Sequence, residues 1–110
     1  MEESSNAVNH VASKNDVIRS KVPNVSRPHQ FVMTTSVAAL PSGELATLLA
    51  NVREFVTFAQ YNDPHGEHDF GAFEHNHERY FWKIDYYDER FEFFAEDGNR
   101  VITLMHASDY

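Results

Sequence analysis

Between Tyr80 and Tyr87 the chain alternates with a period of two. Tyr80, Trp82, Ile84 and Tyr86 fall on one side, and Phe81, Lys83, Asp85 and Tyr87 on the other. Successive side chains of an extended chain point to opposite faces, so this ribbon reads as a β-strand. One of its sides is wholly apolar or aromatic, so the strand needs neighbours in a sheet and a layer of helix over that side. The neighbours are at hand. Arg100 to His106 reads RVITLMH, and in Arg90 to Ala95 Phe91 and Phe93 alternate with Glu92 and Phe94. Glu96-Asp97-Gly98-Asn99 between those two segments is a hairpin signal. Upstream, Gln30 to Val37 is rich in β-branched residues and reads as a further strand.

The helical layer is equally legible. Pro41-Ser42-Gly43 breaks the chain, Ser42 is a cap, and Glu44 suits the positive end of a helix dipole. Leu45, Leu48, Leu49, Val52, Phe55, Val56 and Ala59 then recur at helical spacing, which predicts one long amphipathic helix over Glu44 to Ala59. A shorter helix is expected over Asn15 to Val22, with Ser13 or Asn15 as its cap and Pro23 as its stop. Residues 1–12 are polar and read as a frayed, disordered tail, leaving 13–110 as a single domain. The expected fold is therefore α+β. An antiparallel meander of four to five strands packs against one long amphipathic helix, with a short helix at the N-terminus.

The formal charge of −8 is not spread evenly. Residues 1–60 hold five acids and five bases, whereas residues 61–110 hold twelve acids and four bases. A field of that sign repels phosphate backbones and steers basic partners, so direct nucleic-acid binding is disfavoured. There are no cysteines, so disulfides, thiolate zinc sites and cysteine nucleophiles drop out. The first residues lack the basic start and apolar run of a signal peptide, and no stretch has the length of a membrane span. The expected compartment is the cytoplasm.

Chemistry concentrates between Asn62 and Asp88. Asp63 to Asp69 places Asp63, His65, Glu67, His68 and Asp69 within seven positions. Imidazole and carboxylate together suit zinc, iron or manganese, so His65, His68 and Asp69 are candidate ligands, although the spacing matches no metal motif. A different use is an acid–base site built from Glu67, His68, Asp69, Lys83 and Asp85. The reading of the same loop as architecture has Asp63, Glu67 and Asp69 capping backbone N–H groups. Twelve of the fifteen aromatics lie between Phe58 and Phe94. One long helix cannot cover both faces of the sheet, so an aromatic surface rimmed by acids is expected, with Trp82, Asp85, Tyr87, Asp88 and Glu92 as the residues that meet a partner. No Gly-rich phosphate loop and no serine-hydrolase elbow is present. Ser108 and Thr103 lie near His106 in sequence, but strand alternation is expected to keep them on other faces.

The segments Asn62-Asp63-Pro64, Gly66 to Gly71, Lys83 to Asp88 and Arg100 to Tyr110 together resemble a bacterial family called domain of unknown function 3768. Its members are small proteins frequent in alphaproteobacteria and on their plasmids. The likeness runs over about residues 16–110 and brings no activity with it. In two places the chain departs from the family pattern. The tight turn at Glu96-Asp97-Gly98-Asn99 replaces a longer Asp/Pro-rich connection, and the pattern does not require histidine at position 65, which leaves His68 the sounder candidate.

The reading favoured by charge and aromatics is a non-enzymatic acidic binding protein without a cofactor. It engages a basic surface of a protein partner as a monomer or a dimer and acts as an inhibitor that occupies the partner's nucleic-acid channel. The alternative is a small metal-binding or acid–base enzyme on the Gly-Glu-His-Asp loop. A third reading has the loop and ribbon locked together for stability alone.

Overall fold

A computed structural model describes residues 2–60, 62–95 and 98–110. In chain order the elements are α1 (Glu2–Arg19), β1 (Gln30–Met33), α2 (Thr35–Ala38), α3 (Ser42–Arg53), β2 (Phe70–His75), β3 (Glu78–Tyr87) and β4 (Asn99–His106), closed by a 3₁₀ turn at Ala107–Asp109. The fold is α+β. Its four-stranded sheet has the order β1-β4-β3-β2.

The sheet is mixed, which corrects the all-antiparallel expectation. β2, β3 and β4 do form an antiparallel meander, with Trp82 opposite both Gly71 and Leu104. β1 joins the far side parallel to β4, in the register Gln30 to Val101 and Met33 to Leu104. That pairing spans about seventy residues of sequence, and local alternation carries no information about its direction. The strand expected over Gln30 to Val37 stops at Met33, and Thr35–Ala38 turns into a short helix. Arg90 to Ala95 forms no strand. The Asp88 carboxylate accepts from the backbone N–H of Arg90 and Glu92 at 3.1 and 3.0 Å, so a side-chain-built loop replaces a sheet ladder. The hairpin expected at 96–99 lies partly outside the described residues.

The long covering helix is also shorter than its apolar spacing suggests. α3 has twelve residues and ends at Arg53. Its last carbonyls are claimed from outside: Arg19 Nη1 on α1 donates to Val52 O at 2.6 Å and to Arg53 O at 3.4 Å. A guanidinium there satisfies orphan carbonyls and suits the negative end of the helix dipole. Phe55 and Phe58 continue the apolar spacing but do so from an extended segment, edge-on to Trp82 at 5.5 and 6.2 Å. α1, in contrast, is longer than expected. It begins at Glu2, so the residues read as a frayed tail are its first turns, and Asn15 is interior to the helix and not its cap.

Between the helices and one face of the sheet lies the core, which includes Ile18, Val37, Leu48, Val52, Trp82, Ile84, Ile102 and Leu104. Alternation along β3 follows the sequence: Tyr80, Trp82 and Ile84 are buried, and Phe81, Lys83, Asp85 and Tyr87 are half-buried on the other face. Among the described residues no helix is long and apolar enough to cross a membrane.

Candidate functional site

The segment from Asn62 to Asp69 is a loop that its own side chains build. Asn62 Oδ1 accepts from Ala59 N at 2.8 Å. The Asp63 carboxylate, only 6 % exposed, accepts from the backbone N–H of Glu67 and His68 at 3.0 and 3.2 Å. Gly66 and His68 both take the left-handed conformation, at φ 64° and 57°. For His68 that is a conformation L-residues seldom adopt, held here by the bonds to Asp63. The loop then feeds into β2. Ile84 N donates to Asp69 O at 2.9 Å, and Phe70 lies opposite Lys83. The Gly-Glu-His-Asp turn and the Lys-Ile-Asp-Tyr-Tyr ribbon therefore meet at one end of the sheet.

Where they meet is a cleft of about 470 Å³ lined by Glu67, Asp69, Ile84, Asp85, Tyr86, Tyr87 and Phe94. Three carboxylates face into it. Lys83 Nζ sits 2.9 Å from Asp85 Oδ2, and Tyr86 Oη donates to Asp69 Oδ2 at 3.3 Å. Burial, then the neighbouring Asp69, raises the Glu67 carboxyl above the ordinary value of 4.5. Burial also pushes the Tyr86 phenol far above its ordinary range, so that it stays a neutral donor. The aromatic wall comes from the loop that Asp88 organises, which leaves Phe93 and Phe94 70 % and 73 % exposed.

Asn15 on α1 supports the cleft from behind. Fully buried, it donates from Nδ2 to Glu67 O and to Tyr86 Oη, both at 2.9 Å, and accepts from Arg100 Nε at 3.0 Å. The Arg100 guanidinium lies over the Tyr86 ring at 4.8 Å. Sequence reasoning missed Asn15 and Arg100. The only hint was a polar residue inside an otherwise apolar helical stripe.

The candidates named from the sequence separate into distinct places. Glu67, Asp69, Asp85 and Tyr87 line the cleft, and Lys83 pairs with Asp85 beside it. Trp82 does not belong to a partner surface: it is fully buried on the opposite face. Asp88 and Glu92 shape the loop through the bond from Glu92 N to Asp88 Oδ1. His68 turns away from the cleft. Its ring stacks on Phe58 at 3.8 Å, its Nδ1 lies 3.0 Å from both Asp16 oxygens, and its Nε2 is 3.7 Å from Asp63 Oδ2. That corrects both alternatives built on His68, the acid–base site with Lys83 and Asp85 and the ligand set His65, His68 and Asp69. Among the described residues no three His, Asp or Glu side chains are grouped as a metal requires.

The raised Glu67 carboxyl makes a pH prediction. A carboxyl that binds its proton more tightly in the folded state contributes stability that is complete below the unfolded value near 4.5. That stability is lost as pH rises through the folded value. Glu67→Gln should therefore raise the melting temperature at neutral pH, and the gain should vanish below pH 4.5. Melting curves of both proteins across that range check it; an equal gain at every pH would contradict the assignment.

A family model described as Protein of unknown function (DUF3768) matches residues 33–109. Comparison with curated proteins and with solved structures finds no match.

Proposed function

The chain belongs to the DUF3768 family, and from its geometry we propose that it is a binding protein whose acidic cleft receives a basic side chain of a protein partner. The observation that carries this reading is the convergence of Glu67, Asp69 and Asp85 on one cleft walled by Tyr86, Tyr87 and Phe94. Carboxylates supply the acceptors a guanidinium or ammonium needs, and aromatic faces add attraction for the same cation. Lys83 already offsets Asp85, and a partner's cation would offset the charge that Glu67 and Asp69 hold together. Phosphate is repelled by the same field.

Compared with the surface expected from sequence, Asp85 and Tyr87 remain, Trp82 leaves, and Glu67, Asp69 and Phe94 enter. Asp88 and Glu92 contribute by holding the Phe93-Phe94 loop. A partner whose basic side chain ordinarily meets a nucleic acid would lose that contact while docked here, which makes the protein an inhibitor of such a partner.

Affinity capture from the native host, followed by titration of the purified partner, tests the proposal. We expect no retention on DNA and a partner affinity that falls steeply as salt rises, since opposed charges near a surface are screened over about 10 Å at 0.1 M salt. An affinity indifferent to salt would remove the electrostatic basis of the reading.

A further inference from the structure

A second constellation lies away from the cleft, where β4 ends. His106 and Ser108 are two apart, the spacing that strand alternation puts on one side. The 3₁₀ turn that begins at Ala107 holds Ser108 against the His106 ring, which corrects the expectation that alternation parts them. Ser108 Oγ lies 2.8 Å from His106 Nδ1, and His106 Nε2 lies 2.6 Å from Glu78 Oε1. Ser108 N–H also donates to Nδ1 at 3.0 Å. Nδ1 is therefore the lone-pair nitrogen, and Nε2 carries the hydrogen given to Glu78. Tyr80 packs edge-on to the imidazole at 5.2 Å and fixes its plane.

Beside this trio is a cavity of about 360 Å³ whose lining includes Val37, Leu40, Tyr80 and Ser36. The neighbouring acid is occupied elsewhere: Ser36 Oγ and Thr34 Oγ1 donate to Asp109 Oδ2 at 2.6 and 2.7 Å. A helix cap needs only the bond from Ser108 N to Nδ1. It needs neither the hydroxyl on the same nitrogen nor the carboxylate on the other.

We propose that Ser108 is an activated nucleophile, with His106 as its general base and Glu78 as the positioning residue, acting on small neutral esters with a short apolar acyl group. The geometry meets the two requirements of such a site, a hydroxyl within reach of a base and a base held by a third group. Ser108 Oγ attacks the ester carbonyl carbon while its proton passes to His106 Nδ1. The bond to the alkoxy oxygen then breaks, and the alcohol departs with that proton. A water molecule, deprotonated by the same nitrogen, releases the carboxylic acid and restores Ser108. Val37, Leu40 and Tyr80 wall the space for the acyl chain.

An alkyl fluorophosphonate is the probe. It transfers its phosphonyl group to an activated serine oxygen and releases fluoride, and peptide mass mapping locates the adduct. The full-length folded protein should acquire one adduct, on Ser108, and the heat-unfolded chain none. Ser108→Ala should abolish labelling while its circular dichroism stays native. His106→Ala should slow labelling about 100-fold, in line with the contribution of a general base. Glu78→Ala should slow it, because the imidazole loses the group that holds its Nε2 hydrogen, and Glu78→Gln, whose amide oxygen can still accept that hydrogen, should restore part of the rate. No adduct on Ser108, equal labelling of folded and unfolded chains, or an unchanged rate in His106→Ala would each overturn the proposal.

Discussion

Gly71→Ala is expected to destabilise the protein by about 3 kcal/mol or more, the upper end for forcing extra volume into a packed core. Gly71 is buried in β2 directly opposite Trp82. A Cβ built there would stand 2.6 Å from Trp82 Cε2, nearer still to Nε1, and 2.9 Å from Phe55 Cε1. Separations this short require something to move, and nothing adjacent is free. The indole is fully buried, with Phe55 and Phe58 against its edges and the Arg19 guanidinium 4.8 Å over its ring. Arg19 in turn holds the C-terminus of α3. Displacing Trp82 therefore loosens the contacts that join α1, α3 and the sheet. Domains of this size have roughly 5–15 kcal/mol in all, and 1 kcal/mol corresponds to about 4–8 °C. The melting temperature should fall by roughly 12 °C or more. A fall under about 4 °C would show that the indole has room to move.

Asn15→Leu is expected to have an effect of comparable size through polar groups. The Asn15 amide is the hub between α1, the motif loop, β3 and β4, with bonds to Glu67 O, Tyr86 Oη and Arg100 Nε. Leucine matches the volume but supplies no acceptor. Arg100, whose side chain is fully buried, then loses the partner of its Nε. Its Nη1 still donates to Gly98 O at 2.7 Å. A stranded buried donor costs about 1–3 kcal/mol, and a charged one more, so a loss of about 3 kcal/mol is expected in urea denaturation. The same change should show locally. Tyr86 loses its acceptor-side contact and the Glu67 carbonyl its donor, so the cleft loosens before the core does. Hydrogen exchange at Glu67 and Asp69 faster than in the core strands would register that order. Unaltered stability would mean that Asn15 is a spectator.

These two residues also mark where sequence reasoning runs out. Alternation along β3 could be read because side-chain direction in a strand is a local, covalent property, and it assigned Tyr80, Trp82 and Ile84 to one face. Trp82 was nonetheless expected on the partner surface, and its complete burial overturns that. The end of α3 was illegible because the group that ends it, Arg19, is contributed by a helix more than thirty residues upstream. The parallel pairing of β1 with β4 was hidden for the same reason: it depends on where the chain returns after four intervening elements. In Arg90 to Ala95, Asp88 outcompeted the strand pattern by bonding local backbone donors.

The cleft was half legible. Its acids and tyrosines stand in two compact motifs, and those motifs are neighbours in the sheet. Its support, Asn15 and Arg100, comes from distant parts of the chain. Asn15 also lies before the segment that the family model matches. His68 drew attention through its type, yet Phe58, Asp16 and Asp63 engage both faces of its chemistry, so it anchors α1 to the motif loop. Ser108 was set aside by reading it on a different face from His106, although period-two alternation puts residues two apart on the same side.

The central claim is that a basic partner is recognised at the cleft and not by net charge. The affinity of the captured partner for Glu67→Gln/Asp69→Asn should be compared with its affinity for Glu54→Gln/Glu74→Gln, which removes the same charge from exposed positions elsewhere. A loss of about tenfold or more in the first variant, with the second close to wild type, is the predicted result. Equal losses in the two, or none in the first, would contradict it.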